Sequence, residues 1–225
     1  MFQYAFGRVL ANRSGEETRY DLSWFSREPN RAFGLDAFAC EVGSIDGRKA
    51  RRMSRENWLT RLVGLKPKLT RVEECPENVY NARLMDLHDS YVRGYFQVAA
   101  YYEPIREELL SHFALRDVPE RARWLADEMQ SCESVSLHVR RGDYLKLKNI
   151  YCVCDKDYYR QALGFACDGL HTPRIFVFSD DLDWCRGNLR LPAKTDFVMP
   201  LAMVRPELDM YLMSNCRRHI IANSS

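Results

Sequence analysis

The stretch Ser134-Val135-Ser136-Leu137-His138-Val139-Arg140-Arg141-Gly142-Asp143-Tyr144 changes character half-way along. Its first half places apolar residues at 135, 137 and 139, the two-residue period of a strand. Its second half is two arginines followed by a glycine that permits a sharp turn. Downstream, Asp155–Cys167 carries Tyr158, Tyr159, Ala162, Leu163 and Ala166 on one helical face. Arg174–Ser179 (RIFVFS) is a continuous apolar run of buried-strand type, and Asp181–Leu189 reads as a short helix. Thr195–Met199 is a third strand, Pro206–Asn215 a helix with proline at its start, and His219–Ala222 a fourth strand. Strand and helix in strict alternation predict a parallel sheet covered on both faces, hence a Rossmann-like domain from about Ser134 onward.

The N-terminal part is less regular. Ile105, Leu109, Leu110 and Phe113 behind Pro104 predict one helix, and Val118, Ala122, Leu125, Ala126 and Met129 a second. Turn residues gather around Pro76 to Asn81, and a basic stretch runs from Arg48 to Arg52. The expected domains are 1–132 and 133–225. The chain has 225 residues, with 33 Lys and Arg against 31 Asp and Glu, a formal net charge of +2. That balance gives no electrostatic basis for binding nucleic acid or an anionic membrane surface. With 46% hydrophobic and 12% aromatic residues, the chain can bury a core and is not a disordered one. No apolar run reaches the roughly 18 residues of a membrane span, and no signal peptide opens the chain. The 8 cysteines form no CxxC pair, and the five histidines form no HExxH. Reduced, mostly buried thiols and no structural zinc are expected. Met1–Gly7 begins within a helical pattern and Asn223-Ser224-Ser225 follows the last strand directly, so a fragment is the expectation.

Ligands of an open parallel sheet bind beyond the carboxyl ends of its strands. Three of those ends are polar: His138 to Tyr144, Ser179-Asp180-Asp181, and Asn223-Ser224-Ser225. Arg140 and Arg141 suit a diphosphate, because each guanidinium is a planar fork of donors that stays charged. Asp180 and Asp181 could accept hydrogen bonds from a base or ribose. Each element also has a plainer reading: paired arginines as a solvated turn, Asp-Asp as a helix N-cap, and His138 as a satisfied core histidine.

These residues resemble a known family. His138-Val139-Arg140-Arg141-Gly142-Asp143-Tyr144 is similar to the HxRRGDY signature of the alpha-1,2-fucosyltransferases, glycosyltransferase family 11. Four further blocks agree in the family's order: Met1–Gly7, Gly94-Tyr95-Phe96-Gln97, Phe178-Ser179-Asp180-Asp181 with Trp184, and Asp209–Ser214 through Ile220–Ser225. The resemblance implies an α/β fold of GT-B type with two Rossmann-like domains, the C-terminal one incomplete and binding GDP-fucose. It implies an inverting, metal-independent transfer of L-fucose to the 2-hydroxyl of a galactose-terminated glycan, with no cofactor. Arg140 and Arg141 would hold the pyrophosphate and stabilise the leaving GDP. His138 and Asp180 or Asp181 would contact ribose and guanine, Ser179 would belong to the same donor site, and Asn223, Ser224 and Ser225 would line the phosphate side. Asp143 is the carboxylate nearest the arginines, a candidate base with a salt-bridge or turn-closing role as the alternative. Family sequence before Met1 and after Ser225 is absent, which leads to the expectation that a longer parent is active and this chain is not. A cytoplasmic or membrane-associated location is implied. The competing readings are a protein O-fucosyltransferase and a non-catalytic GDP-sugar-binding remnant.

Overall fold

The computed structural model describes residues 1–28, 32–53, 68–146, 152–199 and 205–223, with only the backbone of Asp143. Contacts divide the chain into two compact units, Met1–Arg116 and Asp117–Ser225.

Unit 1 opens with α1 (Phe2–Ser14), which buries Tyr4, Ala5, Phe6 and Val9. Phe6 and Val9 share a core with Leu84, Met85, Phe96 and Tyr101. Two short parallel pairs follow: β1 (Tyr20–Asp21) with β2 (Ser44–Ile45), and β3 (Thr70–Glu73) with β4 (Ser90–Arg93). Helix α2 (Gly47–Met53) follows β2. Helix α3 (Arg106–His112) is the helix expected behind Pro104, preceded by a 3-10 turn at Glu103–Ile105. It is tied to α1 by Arg8 to Glu108 at 2.6 Å and by the Tyr4 hydroxyl and His112 Nδ1 at 2.8 Å.

Unit 2 contains the alternation read from the sequence. Its elements are α4 (Glu120–Gln130), β5 (Glu133–Val139), α5 (Gly142–Lys146), α6 (Lys156–Cys167), β6 (Pro173–Ser179), α7 (Leu182–Asn188), β7 (Lys194–Phe197), α8 (Pro206–Ser214) and β8 (Arg218–Ile220). The four strands form one all-parallel sheet in the order β7-β6-β5-β8. The chain therefore steps outward from β5 through β6 to β7, then returns to the other side of β5. The strand order reverses between β5 and β8, the switch point at which open α/β sheets open a crevice.

Side-chain alternation loads both faces. Ile175 and Val177 of β6 join Val135, Leu137 and Val139 of β5 under Tyr159 and Leu163 of α6 and Cys185 of α7. Phe176 and Phe178 point the other way, against Ala126 and Met129 of α4 and Leu212 of α8. This packing makes α4 part of unit 2. On that second face β5 offers Ser134 and Ser136, both buried and both hydrogen-bonded, as most buried polar groups are. Ser134 Oγ accepts the Arg217 N–H at 3.0 Å, and Ser136 Oγ lies 3.0 Å from His219 Nδ1. Arg174 pairs with Glu128 and Asp196, each at 2.6 Å, and so stitches α4, β6 and β7 together. The eight cysteines are free thiols, buried at 40, 185 and 216, exposed at 75 and 152, and half-buried elsewhere.

Phe176→Ala is expected to lower unfolding free energy by about 3–5 kcal/mol, through lost burial and the cavity left behind. Phe165→Ala, at a position 82% exposed, should change it by less than about 0.5 kcal/mol. Urea denaturation of both variants checks the pair.

Candidate functional site

The register of β5 on β6 pairs Val139 with Ser179. The next residues of both strands leave the sheet side by side, which brings Arg140-Arg141 against Asp180-Asp181. Asp180 Oδ1 accepts the backbone N–H of Arg141 at 2.9 Å, while its Oδ2 lies 3.2 Å from Arg140 Nη1. Asp181 Oδ2 accepts from Arg141 Nε at 3.3 Å, and its Oδ1 accepts the Trp184 N–H at 3.1 Å as the N-cap of α7. Ser179 Oγ accepts the Asp181 N–H at 2.9 Å. The Arg141 guanidinium lies over the Trp184 ring, 3.6 Å from its centroid, and its side chain is only 15% exposed. Arg140 faces the Tyr144 ring at 5.8 Å.

Gly142 is required by close approach: a Cβ there would stand 2.7 Å from Asp180 Oδ2. His138, on the last turn of pleat before the arginines, has its pKa held below the ordinary value, first by burial and then by the Arg140 charge, with Asp180 opposing. Its imidazole is therefore neutral at neutral pH and is not a third cation.

Asn223 follows β8, across the switch point. Its Nδ2 donates to the Cys152 carbonyl at 2.5 Å, and its Oδ1 accepts a long contact from the Cys154 thiol at 3.5 Å. Tyr158 donates its hydroxyl to the Ile221 carbonyl at 2.5 Å. The segment leading into α6 is thus strapped to the end of β8. Ser224, Ser225 and the Asp143 side chain lie outside the described residues.

Of the residues singled out in the sequence, His138, Arg140, Arg141, Ser179, Asp180 and Asp181 gather at the carboxyl ends of β5 and β6, while Asn223 lies three residues beyond the end of the neighbouring strand β8. Both aspartates are engaged with the arginines, and Asp181 also fills the N-cap role weighed as its plainer reading. Two residues were given no chemical role in the sequence reading, which named Trp184 only as part of a family block. Trp184, three residues after the cap, is the platform under Arg141. Tyr159, read as a core residue, keeps a buried hydroxyl without a hydrogen-bond partner, and burial pushes its pKa up.

The cluster offers two charged forks, each oriented by a carboxylate, at the edge where an open parallel sheet takes its ligand. That suits a doubly charged group such as a diphosphate. Among the described residues no group of three or more His, Cys, Asp or Glu could hold a metal ion, and no helix is long and apolar enough to cross a membrane.

The chain is similar to several known proteins. The sequence model of glycosyl transferase family 11 matches residues 80–225. An alpha-1,2-colitosyltransferase of Escherichia coli is 28% identical over 233 residues, covering all of this chain and 80% of the relative. The O-antigen biosynthesis glycosyltransferase WbnK of Escherichia coli is 25% identical, covering all of this chain and 83% of its own. A bovine (Bos taurus) galactoside 2-alpha-L-fucosyltransferase is 30% identical over 143 residues, which is 58% of this chain and 39% of the relative. No solved structure matches.

Two outcomes follow from the geometry. Gly142→Ala should displace the Asp180 carboxylate from Arg140 and weaken nucleotide-diphosphate binding, measured by calorimetry, while leaving the sheet intact by circular dichroism. For His138, whose folded pKa is depressed, the unfolded chain binds more protons below pH 6.5, so stability falls as pH drops through that window. His138→Asn should remove that part of the pH dependence of thermal unfolding.

Proposed function

This chain belongs to glycosyl transferase family 11, and we propose that it transfers L-fucose from GDP-β-L-fucose to the 2-hydroxyl of a terminal galactoside. The reading rests above all on Arg140 and Arg141, held by Asp180, Asp181 and Trp184 at the carboxyl edge of β5. In this proposal the two guanidiniums grip the pyrophosphate and take up the charge that develops on GDP as its bond to the sugar breaks, without a metal ion. The acceptor oxygen forms its bond to the anomeric carbon from the opposite face, which inverts the centre, and its proton passes to a base. Asp143, in the first turn of α5 directly after the arginines, is our candidate for that base. His138, Ser179, Asp180 and Asp181 would border the nucleoside, and Asn223, Ser224 and Ser225 the phosphates. Two α/β units, each with parallel strands, support a GT-B arrangement.

A second reading concerns the sugar. The relative named a colitosyltransferase is similar along the whole chain, whereas the galactoside fucosyltransferase is similar along part of it. Colitose is fucose without its 3-hydroxyl, so the two readings differ at a single position of the transferred sugar.

Isothermal calorimetry with GDP-fucose in the presence of EDTA tests the proposal. The unaltered chain should bind. Arg141→Ala should lose about 2–5 kcal/mol, the range for truncating one partner of a buried charge pair. Arg141→Lys should recover only part, because lysine has neither the fork nor the planar stack on Trp184. Binding unchanged in Arg141→Ala, or absent from the unaltered chain, sinks the donor-site assignment. Turnover of GDP-fucose against GDP-colitose on one galactoside acceptor then decides between the two sugars.

A further inference from the structure

Unit 1 carries a polar feature of its own at the carboxyl ends of β3 and β4. Glu74 follows β3 and Gly94 follows β4, and the Glu74 N–H extends the ladder to the Arg93 carbonyl at 2.8 Å. The Glu74 side chain is buried, 6% exposed. Its Oε2 accepts two successive backbone N–H groups, from Tyr95 at 2.7 Å and from Phe96 at 2.9 Å. Gly94 leaves no space for a side chain, since a Cβ would stand 2.5 Å from the Glu74 Cβ. Its carbonyl accepts Gln3 Nε2 at 3.2 Å. Phe96 sits at φ +54, a left-handed conformation that a bulky residue holds only when its surroundings impose it. The Phe6 ring, stacked on Phe96 at 4.1 Å and 4°, supplies that restraint.

The turn also retains an electrostatic cost. Glu74 Oε1 and the Tyr102 hydroxyl are buried with no hydrogen-bond partner, and the Tyr102 pKa is raised by burial and then by the Glu74 charge. A plain connection would need neither the strained residue nor the buried carboxylate, and both unpartnered atoms call for an explanation. What the turn displays is Tyr95, 54% exposed on a backbone fixed from below.

We propose that Tyr95 is a stacking platform for the acceptor sugar, and that Glu74 is the positioning residue that fixes it through the Tyr95 and Phe96 N–H groups. The negative face of a phenol ring attracts the weakly positive C–H face of a pyranose such as galactose, and a platform gains affinity when it is held still beforehand. The carboxyl edge of a parallel strand pair is also where such folds place ligands. The inference rests on the reading of the chain as a transferase with a glycan acceptor, and it assigns to the acceptor a contact within unit 1.

The test uses N-acetyllactosamine as probe, with saturation-transfer NMR for acceptor binding and calorimetry for GDP-fucose. Tyr95→Leu keeps bulk without a ring face and should weaken the probe by about tenfold, the size of one modest contact. Tyr95→Phe should keep probe affinity, and Glu74→Gln should weaken the probe although Tyr95 is present. All three should bind GDP-fucose as the unaltered chain does, which a general loss of structure would not allow. Equal probe binding by Tyr95→Leu and the unaltered chain overturns this inference alone. Parallel loss of donor and probe overturns it in favour of a structural role. An unaltered chain that binds GDP-fucose but not the probe overturns both this inference and the galactoside reading.

Discussion

The carboxylate of Asp180 is the constraint on which the unit 2 cluster depends. One oxygen takes the Arg141 backbone N–H and the other the Arg140 guanidinium, so a single side chain fixes both the path of the loop and the aim of its first charge. Gly142 lets the loop pass close enough for this to happen. Asp181 repeats the device one residue on, holding Arg141 with one oxygen and capping α7 with the other. The cap and the ion pair are thus one structure, and the helix that carries Trp184 under Arg141 starts from the same residue. Arginine suits such a place because its charge persists when half-buried and its plane can stack while its edge donates.

The turn after β4 and the unit 2 cluster use their carboxylates differently. In unit 2 the aspartates face cations and hold side chains whose charge is the functional group. In unit 1 Glu74 meets no cation among its hydrogen bonds; it spends one oxygen on backbone N–H groups and so shapes the chain itself. A carboxylate accepting two backbone donors defines a turn more tightly than a neutral side chain can. Phe96, stacked on Phe6, closes the turn from the apolar side.

The sheet of unit 2 was legible because its two central strands are long enough to read, one by its period and one as a continuous apolar run, and its longer helices show a face. Glu133–Val139 and Pro173–Ser179 span seven residues each. The strand pairs of unit 1 were not legible: Tyr20–Asp21 is two residues long, and Thr70–Glu73 is mostly exposed, so neither has a pattern to read. In the cluster, residue types disclosed the arginines and the aspartates. Their pairing depends on the alignment of Val139 with Ser179, which no local pattern encodes. Trp184 was named in the family block, but its place under Arg141 was hidden because spacing alone reads it as one more apolar residue of a short helix. Glu74 was hidden because a glutamate between exposed neighbours carries no mark of burial.

The two faces of β5 have a consequence for how errors in assembly would be expressed. One face is Val135, Leu137 and Val139, and the other Ser134, Ser136 and His138. A slip of this strand by one position would turn every hydroxyl into the apolar layer beneath α6 and every branched side chain out of it. The same slip would carry Arg140 into the place of Val139, among residues with no water and no carboxylate. Misalignment and misplacement of the charged fork are therefore a single event with a single penalty. The contrast between the faces of one strand acts as a vernier, so a molecule that folds at all sets its guanidiniums to within one residue of chain.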